Sequence, residues 1–304
     1  MKESVDVDGV IGFIGVGAMG GRMARNVIEQ GCDLWAYDVR AEALDPIVGA
    51  GAHAADSPRH VAQQCDWIIL SLPDGKSVNQ VLHGDGGMSQ GLRRGQIIID
   101  CGTTDPTQTC ELAEEQAASG VFWLDAPVSG LDARAEDGTL TIMVGGDERA
   151  FEKVLPLLHT MGELVVHMGP AGNGQLMKMT NNVLFNISCA ALAEMLPFAT
   201  RLGLDPEKVR AVVGTSSGQS FGFDFFSERI LKGDFETGYK MRLAYKDMDN
   251  IMARANQRRV PLPVASAAMQ TYQMALAQGH GDESKAAMVK VWERVMGAEV
   301  KKQP

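Results

Sequence analysis

Two places in this chain carry residue types at spacings that could do chemistry. The first is Gly15-Val16-Gly17-Ala18-Met19-Gly20, a Gly-x-Gly-x-x-Gly turn. It follows an apolar run, Val10 to Ile14, that reads as a buried parallel strand, and it opens a helix expected over Met19 to Gln30 with Gly31 as its stop. In such a turn the first glycine permits the tight bend, the second lets backbone approach a pyrophosphate, and the third lets helix and strand pack closely. Free N–H groups and partial positive charge at the helix start then favour phosphate. A second strand, Asp33 to Tyr37, ends at Asp38, where a carboxylate can bond a ribose 2′-hydroxyl and repel a 2′-phosphate. Arg40, two residues on, argues the other way. NAD is therefore favoured, with NADP as the alternative. A glycine loop that binds nothing, with Asp38 as a helix cap, is the plain reading; the ordered arrival of strand, turn, helix, strand and acid weighs against it.

The second place is a long, weakly charged segment, Gln175 to Ala199, opened by Gly172-Asn173-Gly174. Its apolar residues fall on most sides, as in a buried helix. Lys178 and Asn182 are four residues apart and share one face. Buried polar groups are costly without partners, so a polar ligand could meet them there. Equally, Lys178 could reach solvent and Asn182 could bond a carbonyl. Spacing alone leaves both open.

The elements that must position these residues alternate through the first half. Short helices or turns are expected at Ala41 to Val48, after Ser57-Pro58, at Lys76 to Leu82 and at Thr107 to Ala118, with strands at Trp67 to Leu70, Gln96 to Ile99 and Val121 to Leu124. That pattern predicts an α/β fold with a mostly parallel, Rossmann-type sheet, whose ligands sit beyond the carboxyl ends of the strands. Ala126 to Gly130 reads as a loop that precedes Thr139 to Val144, and two further elements, Glu148 to His159 and Leu164 to His167, could extend that sheet. The last third is helical in character, so two domains are expected: residues 1–170 binding the dinucleotide, and an all-α domain over 171–304 for substrate and oligomer contacts. A long buried helix, about 173–199, would join them.

Composition excludes several classes. A net charge of −10 over 304 residues offers no basic face for nucleic acid. Five cysteines without CxxC spacing suggest neither a disulfide framework nor zinc, and the six histidines show no ligand spacing, so no metal is expected. The acidic start, Met1 to Gly9, lacks the apolar stretch of a secretion signal, and no run of about 18 residues reads as charge-free and apolar enough to span a membrane. A cytoplasmic protein is the expectation, and the apolar helices suggest a homo-oligomer, dimer or tetramer.

Taken together, the motifs resemble the β-hydroxyacid dehydrogenase family, typified by 3-hydroxyisobutyrate dehydrogenase and tartronate semialdehyde reductase. The resemblance runs through the glycine turn, Leu72-Pro73-Asp74, Asp125-Ala126-Pro127-Val128-Ser129-Gly130, Gly138-Thr139-Leu140, Met143-Val144-Gly145-Gly146, Gly172 to Asn182 and Lys246-Asp247. It implies that Lys178 is the general acid/base for hydride transfer between a nicotinamide cofactor and a short β-hydroxy acid or its semialdehyde. A free lysine is a weak base at neutral pH, so burial and a positive nicotinamide ring are expected to lower its pKa. By the same resemblance Ser129, Gly130 and Leu131 form a carboxylate clamp, Asn182 orients substrate, and Leu72, Pro73, Thr103 and Lys246 lie along the cofactor. The plain reading of Lys246 is an ion pair with Asp247.

Some positions depart from the family pattern. Leu131 and Arg134 stand where glycines are usual, and Gly102 where a serine is. Leu131 should narrow or re-aim the clamp; Arg134 could be a second cation for a dianionic or sulfonated substrate, or simply pair with Glu136 or Asp137. Two other functions compete: an imine reductase of similar architecture, which usually lacks the helix lysine, and a non-catalytic dinucleotide-binding scaffold, which would not need Lys178 or Asn182.

Overall fold

The computed structural model describes residues 9–301; the acidic start ahead of Gly9 lies outside them. Six parallel strands form the main sheet: β1 (Ile11–Ile14), β2 (Leu34–Tyr37), β3 (His53–Ala54), β4 (Trp67–Leu70), β5 (Ile97–Asp100) and β6 (Phe122–Asp125). Their order is β3-β2-β1-β4-β5-β6. Strand order reverses between β1 and β4, which is where this class of sheet opens a crevice for ligand. All four residues of β1 and of β5 are buried, as expected of strands covered by helices on both faces.

Capping explains where several helices begin. Ser57, Asp74, Asp105 and Asp147 each accept a backbone N–H from the first turn of the helix that follows, each worth about 1 kcal/mol. The segment Ala41 to Val48 divides into a 3₁₀ turn, Ala41–Ala43, and a helix, Asp45–Val48, with Pro46 early in that helix.

A second sheet forms apart from the main one: β7 (Val128–Ser129), within the stretch read as a loop, β8 (Leu140–Val144) and β9 (Gly162–His167), in that order. β7 pairs antiparallel with β8, and β9 pairs parallel to it. Asp125 bridges to Gly145, so the chain leaves β6 straight into this smaller sheet. Glu148 to Met161 is the helix that crosses over from β8 to β9. Residues Leu131–Glu136, just beyond the stretch read as a loop, form a short helix.

The chain divides into two compact units, Met1–Lys178 and Met179–Pro304. The boundary falls inside one helix, Asn173–Arg201. Contrary to the sequence expectation, this 29-residue helix is long and apolar enough to cross a membrane, with an 18-residue window of mean hydropathy 1.5. Its only charges are Lys178, Glu194 and Arg201. Its role here is that of a core helix: Cys189, Ala190, Leu192, Ala193 and Leu196 pack in the second unit's hydrophobic core. The second unit adds the helices Pro206–Val213, Phe221–Lys232, Met241–Gln257, Pro263–Ala277 and Val289–Met296.

Candidate active site

At the carboxyl ends of β1, β4 and β5 three loops close on one another. Gly15 adopts φ +91°, and a Cβ there would overlap the Ser71 carbonyl oxygen; one at Gly20 would overlap the carbonyl of Gly15. A Cβ at Gly102 would lie 2.8 Å from the Leu72 carbonyl oxygen and 3.0 Å from Asp100 Oδ1. That crowding explains a glycine where the family usually has serine.

Gly17 differs. A Cβ there would meet nothing nearer than an Arg40 guanidinium nitrogen, at 3.3 Å, so its outer face is open to a phosphate. As the N-cap of the helix Ala18–Glu29 it supplies no side chain to the first-turn N–H groups. An open backbone, an uncapped helix start and a reversal of strand order suit a dinucleotide.

Asp38 has a task beyond the ribose expected of it. Its Oδ2 accepts the Val16 N–H at 2.9 Å and its Oδ1 the Arg40 N–H at 3.0 Å, with Arg40 Nε at 3.4 Å. The carboxylate therefore holds the glycine turn against β2 and steers Arg40 toward Gly17. Val16 is buried, Ala18 exposed and Met19 half-buried.

The long helix is fastened to the same end of the sheet. Asp125, at the end of β6, accepts the Gly172 N–H on Oδ1 at 2.8 Å and the Gln175 N–H on Oδ2 at 2.9 Å. Gln175 in turn donates to the Gly102 carbonyl at 2.9 Å and accepts the Thr104 N–H at 3.2 Å. One turn on, Lys178 is half-buried. It therefore emerges from a helical turn pinned to the loop that carries Thr103. Asp125 and Gln175 were not singled out as site residues, though an acid closing an apolar strand was a visible signal.

Asp100 pairs in register with Asp125. Burial pushes both carboxyls up to about 6, against hydrogen bonds that favour the charged forms: Gly102 and Thr104 on Asp100, and backbone N–H groups including Gly172 and Gln175 on Asp125.

In the small sheet, Ser129 is half-buried opposite Thr141. Gly130 has φ +147°, and Leu131 has φ +59°. The glycine expected at 131 thus has a backbone reason, and Leu131 keeps that conformation at the expense of strain. Arg134 pairs with Glu163 at 3.7 Å, not with Glu136 or Asp137; Glu136 pairs with Arg22 at 3.6 Å. The stem of Arg134 lies against Gly130.

Asn182 and Lys246 belong to the second unit. Asn182 Nδ2 donates to Asp247 Oδ2 at 3.0 Å, and the Tyr239 hydroxyl donates to the same oxygen at 3.2 Å. Burial and this neighbouring carboxylate push the Tyr239 hydroxyl well up, so it stays a donor. Asp247 is buried while Lys246 is exposed. Leu72 is half-buried and Pro73 exposed at the β4 loop. Among the described residues no group of three or more His, Cys, Asp or Glu side chains could hold a metal.

A nucleotide crevice, a lysine on a helix anchored beside it and an all-helical second unit define a nicotinamide-dependent oxidoreductase. Residues 10–169 match the NAD binding domain of 6-phosphogluconate dehydrogenase, and residues 172–292 match the NAD-binding domain of NADP-dependent 3-hydroxyisobutyrate dehydrogenase. The chain belongs to the β-hydroxyacid dehydrogenase family, whose members are NAD(P)-dependent dehydrogenases and reductases. It is 38% identical to 2-(hydroxymethyl)glutarate dehydrogenase of Eubacterium barkeri, over 95% of this chain and 97% of that one. It is 34% identical to 3-sulfolactaldehyde reductase of Escherichia coli, over 92% and 94%. The structure of 3-hydroxyisobutyrate dehydrogenase from Salmonella typhimurium superposes with a TM-score of 0.85 at 29% identity, covering 93% of this chain and all of that one. An imine reductase from Myxococcus stipitatus shares the fold, with a TM-score of 0.61 at 19% identity. The dehydrogenase reading is thus supported over the imine reductase alternative.

Proposed function

We propose that the protein interconverts a short β-hydroxy acid and its semialdehyde with Lys178 as the proton-transferring group. The observation that carries this is the anchoring of the Lys178 turn, through Asp125 and Gln175, to the loops at the carboxyl ends of β5 and β6. The nicotinamide, when bound, accepts or supplies the hydride. Gly15 to Gly20 would hold its pyrophosphate, Asp38 with Arg40 its adenosine ribose, and Leu72, Pro73, Thr103 and Lys246 its nicotinamide side. In oxidation the neutral Lys178 amine takes the hydroxyl proton; in reduction its ammonium returns one to the carbonyl oxygen. The Ser129 hydroxyl and the Gly130 and Leu131 backbone would receive the substrate carboxylate, and Asn182 would orient the hydroxyl. The Eubacterium barkeri relative is named for a hydroxymethyl diacid, which makes acids of that kind the first to try here.

The reading places residues 1–170 on the nucleotide and 171–304 on substrate and subunit contacts. Cytoplasmic location and a homo-oligomer, dimer or tetramer, belong to it as well. In favour of self-association, Leu184 and Met195, eleven residues apart and so on one face of the long helix, are 64% and 55% exposed.

The test is a panel of three- to six-carbon hydroxy acids with NAD⁺ and NADP⁺. Lys178→Met should lower kcat about 10²- to 10⁴-fold, the range for a lost general base, with nucleotide binding kept. A variant within ten-fold of the parent on the best acid would end the proposal.

A further inference from the structure

Lys285 is a cation in the core of the helical unit, only 2% exposed. Its Nζ donates to Asn186 Oδ1 at 2.9 Å and lies 3.4 Å from the Phe185 ring centroid, with the Phe226 and Tyr239 rings at 5.5 and 5.7 Å. Lysine is almost never fully buried without a purpose that offsets its desolvation.

Its surroundings suggest the purpose. Asn182 and Asn186 are successive positions on one helical face, and each bonds the helix Met241–Gln257. Asn182 Nδ2 donates to Asp247 Oδ2 at 3.0 Å; Asn186 Nδ2 donates to the Ala244 carbonyl at 3.3 Å. The two bonds are neighbouring rungs of one ladder, four residues apart on one helix and three on the other. An ammonium is donor-only, so Lys285 compels the Asn186 amide to face it with oxygen and Ala244 with nitrogen. Lys285 also reaches the other rung. Its Nζ lies 5.7 Å from the centre of the Tyr239 ring, whose hydroxyl donates to Asp247.

We infer that Lys285 is a positioning residue: by locking Asn186 and flanking the Tyr239 ring it fixes the Asn182–Asp247 rung, so that Asn182 keeps its nitrogen on that carboxylate and its oxygen, which the Asn181 amide also meets at 3.4 Å, on the other side for the substrate hydroxyl. This rests on the role proposed above for Asn182.

The experiment compares Lys285→Met, Lys285→Gln and the double variant Lys285→Met/Asn186→Leu in the full chain, with the best acid from the panel. Lys285→Met should lower kcat about ten-fold or more and leave KM for the nucleotide within two-fold. Lys285→Gln, which keeps a donor for Asn186, should recover most of that loss. If Lys285→Met does not fold, the double variant, which removes the donor and the acceptor together, keeps the test open; it should fold and remain slow. The Asn182 side-chain amide resonance in ¹⁵N spectra, assigned with Asn182→Ala, should move in the folded variant without any substrate. A folded variant with kcat within two-fold of the parent, an unmoved Asn182 signal, or a glutamine variant as slow as the methionine one overturns the inference. Should the parent turn over no acid, the function proposed above fails separately, and the amide signal alone decides whether Lys285 fixes Asn182.

Discussion

Two buried carboxylates hold the same long helix, one in each unit, and they hold it differently. Asp125 grips backbone: both of its oxygens take N–H groups from the first turn, at Gly172 and Gln175. Asp247 grips a side chain, receiving the Asn182 amide and the Tyr239 hydroxyl on a single oxygen. A backbone grip fixes where a whole turn begins and so where Lys178 emerges. A side-chain grip fixes only which way one amide faces. The first should therefore be much less tolerant of change.

Asp125→Asn is the sharpest way to break that contrast. Both oxygens face donors, so an amide must set its NH₂ against a backbone N–H whichever way it is turned. The expected loss is about 1–3 kcal/mol of stability. A displaced Lys178 turn should also lower kcat about 100-fold, the usual penalty for a misplacement near 1 Å. Chemical denaturation and steady-state kinetics on the soluble variant check both. Asp247→Ala should do less: about ten-fold in kcat, the worth of one hydrogen bond to a charged group, with nucleotide KM unchanged. Equal effects at the two sites would remove the distinction.

Asp100 sharpens it further. It lies in register with Asp125 and is as deeply buried, yet its partners are the Gly102 N–H and the Thr104 hydroxyl, and a hydroxyl can turn to accept. Asp100→Asn should therefore fold and be no less stable at pH 7. The pH dependence has a definite sign. Both carboxyls are raised to about 6 by burial, above the 3.8 of an exposed aspartate. Between about pH 4 and 6 the folded chain binds more protons at these sites than the unfolded chain. Their contribution to stability is full below that window and is lost as pH rises through it. Asp100→Asn should flatten the slope of unfolding free energy between pH 4 and 6, measured by denaturant titration at each pH.

Much of the first unit could be read from sequence because its signals are local. The glycine turn, the strand leading to Asp38 and the Ser57-Pro58 helix start each declare themselves within a few residues, and each is found in place. What escaped was contact between distant positions. Asn182 and Asp247 are 65 residues apart, and Lys285 and Asn186 are 99 apart; helical periodicity says which face each occupies and nothing about what lies opposite. The small sheet escaped for a related reason. An apolar run such as Thr139 to Val144 looks the same whether it joins the six-stranded sheet or starts another, and the two residues of β7 pair with β8 across an intervening helix, Leu131–Glu136, too far for a hairpin signal to show. The 29-residue helix escaped the membrane-span reading because that reading asked for a charge-free run, and Lys178 and Glu194 leave only the residues between them uncharged.

Leu131 offers the smallest effect and a clean separation of strain from shape. Its φ of +59° places a branched, non-glycine residue in the left-handed region, directly after Gly130 at +147°. Such a conformation costs an L-residue about 1–2 kcal/mol, whereas a glycine loses more chain entropy on folding, about 0.5–1 kcal/mol. Leu131→Gly should therefore be neutral to about 1 kcal/mol stabilising, with any lost packing of the half-buried leucine reducing the gain. The same change removes bulk beside Ser129 and Gly130 without altering the backbone the turn already adopts. If Leu131 narrows the clamp, the variant should accept bulkier acids with a lower KM while kcat on the best acid stays within two-fold. If instead the leucine only fills space against its own unit, stability should fall and the acid preference should not move. Thermal unfolding and the hydroxy-acid panel, run on the same preparation, distinguish the two.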